Sequence, residues 1–322
     1  MNFTKDSLKI DAAAETDRIV NALRKTVRQE MRRFGGVVGI SGGIDSAVVL
    51  GLAVRAFGPE KVTAVMMPER DSDPVSEQLA RELAARFGVT PILENITPVL
   101  EGFRCYQRRD EAIRRVVPDY DAARGWKAKI VLPQNLLEGG TLNLFSVTVI
   151  APDGRPTTKP LPPAEFLQIV AASNFKQRTR MAMVYYHAEL RNYAVLGTAN
   201  KNEFAQGFFV KYGDGGVDVQ TIGHLYKTQV YQLAAHLGVP EAIQQRTPTT
   251  DTYSAPCNQE EFFFRLPFAT MDLLWFAQEH GVSPEETARL MGLTPEQVRH
   301  AFDDFTRKER GTAYLRMAPA AL

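Results

Sequence analysis

Short apolar runs alternate with amphipathic stretches along the first part of the chain. The apolar runs, which predict strands, cover residues 36–40, 62–67 and 91–93. The stretches with helical spacing, which predict helices, cover residues 7–33, 45–57 and 74–87. Strands that alternate with helices of this length are typical of β-α units, and such units build a parallel sheet.

The alternation stops for a segment and then resumes. Helical patterns at residues 164–190 and 227–237 flank a strand-like run at residues 193–197. We therefore predict a doubly wound α/β fold with a parallel sheet, and we expect residues 1–322 to form a single domain. The binding site of such a fold is expected at the carboxyl ends of the strands.

The interruption covers about residues 105–163 and is predicted to be a β-rich insertion. It contains extended runs at residues 129–132 and 142–150 and a Pro-Asp-Gly turn signal, so we expect one hairpin. The insertion is also rich in basic residues, namely Arg104, Arg108, Arg109, Arg114, Arg115, Arg124, Lys127 and Lys129. Acidic residues lie between them, and we interpret the basic stretch as a solvated helix face rather than a patch for nucleic acid.

The tail, about residues 258–322, is predicted to be helical. Ser283 and Thr294 are each followed by Pro and Glu, which is the pattern of a helix N-cap with Pro at the first helical position.

Composition and charge restrict the class of protein. The net charge of +1 provides no overall field for nucleic acid or for an anionic membrane. No apolar run is long enough to cross a membrane, and the start of the chain lacks the apolar core of a signal peptide. Two distant cysteines indicate a reducing compartment, so a cytoplasmic protein is expected.

A glycine-rich loop lies between the first predicted strand and the next helix. It consists of Gly39, Ile40, Ser41, Gly42, Gly43, Ile44, Asp45 and Ser46. The glycines allow the amides to turn inward, and the helix start adds unpaired N–H groups, so the loop is suited to phosphate. No Gly-Lys-Ser/Thr closes it, so it is not a Walker loop. Because Asp45 would repel a phosphate, a bridging divalent cation is expected, and oxygen ligands suit magnesium.

The Ser-Gly-Gly-x-Asp-Ser form of this loop resembles that of the ATP pyrophosphatase superfamily. Further segments make the resemblance more specific, above all Asn-Phe-Lys-Gln-Arg-Thr-Arg-Met at residues 174–181 and Gly-Phe-Phe-Val-Lys-Tyr-Gly-Asp-Gly-Gly at residues 207–216. Together with residues 195–200 and 248–251, they resemble NAD synthetases. This resemblance implies an adenine nucleotide alpha hydrolase-like fold. It also implies a ligase that amidates deamido-NAD with ammonia and ATP through an adenylate, releasing AMP and pyrophosphate.

The resemblance also implies roles for single residues. It assigns the loop with Thr198, Lys227 and Thr249 to ATP, Asp45 and Glu203 to magnesium, Arg178, Lys211 and Asp218 to deamido-NAD, and Asp214 to ammonia. Lys227 and Asp214 are the candidate catalytic residues. The side-chain ammonium of Lys227 near the leaving pyrophosphate would stabilise the growing negative charge. The carboxylate of Asp214 could take a proton from an incoming ammonium ion.

Two segments differ from the family pattern, and both bear on the recognition of the acid. The sequence after residue 251 is Thr-Tyr-Ser-Ala-Pro-Cys, and only Arg316 remains of a C-terminal His-Lys-Arg. A paralogous amide ligase for another carboxylic acid therefore stays open. A tRNA-modifying ATP pyrophosphatase is less favoured, because the net charge is near zero and no sulfur-carrying pair of cysteines is present.

The expected partners are small molecules and a second copy of the chain. We find no cysteine pattern typical of a glutaminase, so ammonia is expected to be free or to come from a separate glutaminase. The family resemblance implies a homodimer.

Overall fold

The computed structural model describes residues 3–132, 136–138, 145–249, 252–259 and 263–321. The strands are Gly36–Gly39 (β1), Val62–Met66 (β2), Ile92–Leu93 (β3), Lys127–Val131 (β4), Ser146–Ile150 (β5), Pro156–Pro160 (β6), Ala194–Gly197 (β7) and Val219–Gln220 (β8). The helices of the sheet region and the insertion are Ala12–Leu23 (α1), Ile44–Phe57 (α2), Pro74–Arg86 (α3), Thr97–Gly102 (α4), Cys105–Val116 (α5), Pro163–Arg191 (α6), Lys201–Gln206 (α7), Lys227–Leu237 (α8) and Glu241–Gln245 (α9). The tail contains Phe268–Glu279 (α10), Pro284–Met291 (α11), Pro295–Gly311 (α12) and Ala313–Arg316 (α13).

The predicted parallel sheet is confirmed. In the described part of the chain it has five strands in the order β3-β2-β1-β7-β8, and every neighbouring pair is parallel. The strand order reverses at β1, because the chain first builds outward to β3 and then returns to place β7 on the other side. Ligands bind at such a switch point, beyond the carboxyl ends of the strands.

Both faces of the sheet are covered, as the apolar character of its strands predicts. Successive side chains of a strand point to opposite faces, so Val38 packs into the core formed with α2 and α8, whereas Val37 packs against Val184 of α6. All of these side chains are buried. This packing fixes β1, and with it the loop that follows β1.

The insertion contains more β-structure than the expected single hairpin. Strands β4, β5 and β6 form a three-stranded antiparallel sheet. The expectation missed β6 because all five of its residues are exposed and it shows no apolar alternation. Of the expected run at residues 142–150, positions 142–144 lie outside the described residues.

The basic stretch of the insertion is helical but is only partly solvated. Arg109, on α5, is 2% exposed and forms ion pairs with Asp71 and Asp110. Our interpretation of this residue as part of a solvated face is therefore wrong, whereas Arg108 and Arg114 are exposed as expected. The charge pattern of α5 alone does not reveal that Asp71, which is distant in sequence, is buried against this helix.

The helical tail is confirmed and packs as a second core. Ser283 accepts a hydrogen bond from the Glu286 amide (3.1 Å), and Thr294 accepts one from the Gln297 amide (3.2 Å), so both N-caps form as predicted. Trp275 and other aromatic side chains bury the inner faces of α10 and α12. Among the described residues, the helices are too short or too polar to span a bilayer.

Candidate active site

A cavity of about 680 Å³ opens at the carboxyl ends of β1, β2 and β7, where the strand order reverses. Its wall also includes one side of α6, the 207–217 turn, the 246–249 segment and the start of α13. Most of the residues that the sequence predicts for the site contribute to this wall, namely Gly39, Ile40, Ser41, Gly43, Ile44, Asp45, Ser46, Thr198, Glu203, Asp214 and Thr249. Residues 250 and 251 lie outside the described part of the chain.

The glycine-rich loop is held in a tight turn by its own serines. The Ser46 hydroxyl donates to the Gly43 carbonyl (3.0 Å), and the Ser41 amide donates to the Ser46 hydroxyl (3.3 Å). Gly42 has a φ of +71°, and a Cβ at this position would lie 2.6 Å from the Ser76 carbonyl oxygen. Glycine is thus required at Gly42, which lies behind the loop and does not line the cavity.

Asp45 extends from the first turn of α2 and is held from two sides. The Asn200 amide group donates to Asp45 Oδ1 (2.9 Å), and the ammonium of Lys227 pairs with Asp45 Oδ2. Lys227 is 0% exposed. Burial lowers the pKa of Lys227, but the carboxylates of Asp45 and Glu203 outweigh this effect and raise it. Lys227 therefore stays charged beneath Asp45 rather than in the cavity wall, and its contact with ATP stays a prediction.

Asn200 connects Glu203 to Asp45, because it donates hydrogen bonds to both carboxylates. Asn200 caps α7, and its backbone amide donates to Glu203 Oε2 (3.2 Å) while Gln259 donates to Oε1 (3.0 Å). Burial and the nearby charge of Asp45 raise the pKa of Glu203 to about 8. The negative charge of each carboxylate makes ionisation of the other less favourable, so a cation bound by both would stabilise the pair.

The donor set fits magnesium. No cluster of three or more His, Cys, Asp or Glu side chains able to hold a metal ion occurs among the described residues, so the protein offers the two carboxylates of Asp45 and Glu203. Magnesium is commonly held by one or two carboxylates, with substrate phosphates and water completing its shell. Asp45 and Glu203 are therefore the residues that would hold it.

Asp214 lies in the Gly-Asp-Gly-Gly turn, which contributes to the wall of the same cavity. Its Oδ1 accepts a hydrogen bond from the Val210 amide (2.8 Å). Burial raises the pKa of Asp214 to about 6, and backbone hydrogen bonds and the charge of Arg180 limit the increase. The turn is compact, since a Cβ at Gly215 would lie 2.4 Å from the Phe209 ring. A carboxylate with this pKa is ionised at neutral pH and can still accept a proton.

The three residues assigned to the acid substrate lie outside the cavity wall. Arg178 is exposed, and its Nε donates to the Lys211 carbonyl (3.4 Å). The Lys211 ammonium donates to the carbonyls of Tyr314 and Met317 (2.9 Å each), and Asp218 accepts from the Tyr185 hydroxyl (3.1 Å). Their contacts with deamido-NAD stay predictions.

Two further residues belong to the site, and the sequence contains a signal for each. Arg180 lines the cavity, and it shares one side of α6 with Gln177 and Val184, at helical spacing. Arg178 is two positions away and therefore points elsewhere. Asn200 is three residues before Glu203, which is the pattern of a capping box, and the capping box is what joins Glu203 to Asp45.

Comparisons with known proteins agree on one family. The family model described as "NAD synthase" matches residues 15–124 and 150–311. A protein of Rhizobium meliloti (strain 1021), named NH(3)-dependent NAD(+) synthetase, is 51% identical over 317 residues, which cover 98% of this chain and 94% of that protein.

Two solved structures share the fold. The NH3-dependent NAD synthetase of Campylobacter jejuni has a TM-score of 0.62 at 23% identity, and the match covers 97% of this chain and 100% of that one. The NMN synthetase of Francisella tularensis also has a TM-score of 0.62, at 22% identity, with 98% and 99% covered.

Proposed function

The chain belongs to the NAD synthase family, and we propose that it catalyses the ATP-dependent amidation of deamido-NAD to NAD with ammonia. The observation that carries the proposal is the meeting of Asp45 and Glu203 at one end of the glycine-rich loop, inside a cavity that also contains Asp214. This arrangement supplies what the two steps need. The loop and the two carboxylates can hold ATP with a cation, and Asp214, which lies near enough to Glu203 to raise its pKa, offers a base.

We propose magnesium as the cation. Asp45 and Glu203 would hold it, and when bound it would supply positive charge that stabilises the phosphate oxygens of ATP. The chain's own residues then orient the reaction. The amides of the loop bind phosphate at the start of α2, and Lys227 holds Asp45 in place from below.

The second step requires free ammonia, so an incoming ammonium ion must lose a proton before its nitrogen attacks the acyl-adenylate. Asp214 is the residue that we propose for this transfer, because it lines the cavity and its pKa of about 6 leaves it ionised at neutral pH. The walls formed by Phe208, Phe209 and Leu315 are apolar and would exclude water from the adenylate.

The choice of nitrogen source tests the proposed function directly. With the purified chain, Mg-ATP and deamido-NAD, ammonium is expected to give NAD and AMP in equal amounts. Glutamine is expected to give none, because neither cysteine shows the surroundings of a glutaminase nucleophile. Both Cys105 and Cys257 are buried, and burial raises the pKa of Cys105. Efficient use of glutamine by the chain alone would contradict the proposal.

Asp214→Asn is expected to slow amide formation by about 100-fold or more while adenylate formation stays near the wild-type rate. When wild-type rates are divided by the ammonium concentration, they should fall as the pH drops below about 6. The reason is that protonated Asp214 cannot accept a further proton. The variant should lose this fall. Equal losses in both steps would remove Asp214 from the ammonia role.

We also propose a homodimer that forms through the outer side of α6. Tyr186 and Leu190 are exposed there (55% and 63%), and the bond between His187 and Glu94 (2.8 Å) brings exposed Leu93 beside them. Exposed apolar side chains grouped in this way are typical of a protein interface. Sedimentation equilibrium should give twice the mass of one chain for the wild type and the mass of one chain for Leu190→Glu. A wild-type monomer would contradict the dimer.

The proposed location is the cytoplasm. Both described cysteines are free thiols, which agrees with a reducing compartment. Fractionation of the native host would test it.

A further inference from the structure

A buried cluster of charges lies beside the cavity and takes no part in the proposed chemistry. We call it the Lys176 cluster, and it consists of Lys176, Glu69, Asp71, Arg109 and Tyr106. Lys176 is 1% exposed, and the side chains of Glu69 and Asp71 are 0% and 7% exposed. The ammonium donates to Glu69 Oε1 (2.8 Å), to Asp71 Oδ2 (2.9 Å) and to the Thr252 carbonyl (2.7 Å).

Lys176 therefore joins three segments that are far apart in sequence. Glu69 and Asp71 belong to the 69–74 loop, whose Ser72 and Asp73 line the cavity. Thr252 belongs to the 252–257 segment and also lines the cavity. Lys176 itself lies on α6, which packs on the sheet. One ammonium group thus joins two edges of the cavity to a helix that packs on the sheet.

The insertion supports the same loop from its other side. Arg109 of α5 pairs with Asp71, and the Tyr106 hydroxyl donates to Glu69 Oε2 (2.7 Å). The Arg70 guanidinium lies 3.7 Å from the centre of the Tyr106 ring. Burial would raise the pKa of Asp71, but Lys176 and Arg109 together hold it well below its usual range. The loop is thus held by charged groups on both sides.

The fastened edges are those of the ATP end of the cavity. Asp73 caps α3, and the first turn of α3 packs against the glycine-rich loop, since the Ser76 carbonyl lies where a Gly42 side chain would be. The 69–74 loop and the 252–257 segment also separate this cavity from a second one of about 1010 Å³, so the wall is exposed to solvent space on both sides. Because it has a cavity on each side, this wall must be held in position by contacts among its own residues.

We propose that Lys176 is a positioning residue, which sets the ATP end of the cavity by holding the 69–74 loop and the 252–257 segment together, and that α5 of the insertion serves the same purpose through Arg109. The inference rests on the proposed function only in that ATP is the ligand at this end. Lys176 touches neither ATP nor the acid. It acts through the shape of the wall, so its loss should weaken ATP binding and leave the affinity for ammonia unchanged.

The test compares variants of the full chain by calorimetric binding of Mg-ATP without an acid substrate. Lys176→Met leaves two buried carboxylates with too little positive charge, and it is expected to lose stability. The decisive variant is therefore the combination Lys176→Met, Glu69→Gln and Asp71→Asn, which removes the ion pairs without leaving a bare charge. Arg115→Met is the matched control, because it removes an exposed ion pair between α5 and α6, with Glu165 (2.9 Å).

The triple variant is expected to fold, to bind Mg-ATP about 10- to 100-fold more weakly, and to keep its KM for ammonium within about twofold. Amide hydrogen exchange should become faster at residues 69–74 and 252–257 but not in β1 or α2. The Arg115→Met variant should match the wild type in every measurement. A folded triple variant that binds Mg-ATP as the wild type does would overturn the proposal. If the wild type binds Mg-ATP but makes no NAD, the proposed function fails instead.

Discussion

Glu203→Gln is expected to reduce NAD formation by about 100-fold or more while the fold stays intact. Even residues that only support a metal ligand cost about 10- to 100-fold when they are replaced, so the loss of a ligand should cost at least as much. The neutral amide removes a charge that burial and Asp45 already disfavour, since both raise the pKa of Glu203. It keeps only one of the two oxygens that accept from Asn200 and Gln259, so the variant should unfold at a slightly lower temperature than the wild type but stay folded.

The matched control is Glu82→Gln on α3. Glu82 is exposed and accepts a hydrogen bond from Gln78 (2.9 Å), and it does not line the cavity. It should leave the rate, the KM for ATP and the magnesium dependence unchanged. Steady-state rates over a range of magnesium concentrations make the comparison. A folded Glu203→Gln variant with wild-type rates would remove Glu203 from the magnesium site.

Asp45→Asn should lose activity as well, but for this variant the fold also suffers. It leaves the Lys227 ammonium, which is 0% exposed, without its ion-pair partner. Breaking a buried pair in this way costs about 3–5 kcal/mol. The double variant Asp45→Asn, Lys227→Met should recover most of that stability and none of the activity. This pattern would show that restoring the stability does not restore the reaction, as expected if Asp45 and Lys227 both belong to the site.

The sequence predicts the sheet well, because burial on both faces gives short apolar runs and helical periodicity that can be counted. The β1 strand, α2 and α8 follow the predicted boundaries closely, and the two N-caps of the tail follow from local hydrogen-bonding patterns. In contrast, β6 has only exposed polar and proline residues, so nothing in its pattern separates it from a loop.

The sequence also predicts one part of the candidate site, namely the part that a single continuous segment forms. Loop residues adjacent in sequence are adjacent in space, so the end of the cavity at residues 39–46 follows from one motif. The position of Lys227 beneath Asp45 depends on how α8 packs against α2, and no spacing along the chain reveals that it is buried. The Lys176 cluster joins α5, α6 and two loops, and so it also depends on tertiary packing.

The altered C-terminal tail bears on which carboxylic acid the enzyme amidates. Lys211 holds the tail through two carbonyl oxygens, and Tyr314 and Leu315 line the cavity in place of a His-Lys pair. The tail therefore contributes to the cavity wall with an aromatic and an aliphatic side chain. Because the wall stays in place, we expect the dinucleotide to remain the preferred acid.

Exchange of labelled pyrophosphate into ATP identifies the acid, since adenylation is reversible and each accepted acid supports exchange before ammonia is added. Deamido-NAD should drive magnesium-dependent exchange at least about tenfold faster than nicotinate, aspartate or glutamate at equal concentration. Nicotinate mononucleotide should be included, because it carries the same carboxylate without the second nucleotide. If Mg-ATP binds and deamido-NAD at millimolar concentration gives no exchange, the account is contradicted, and an amide ligase for a different carboxylic acid takes its place.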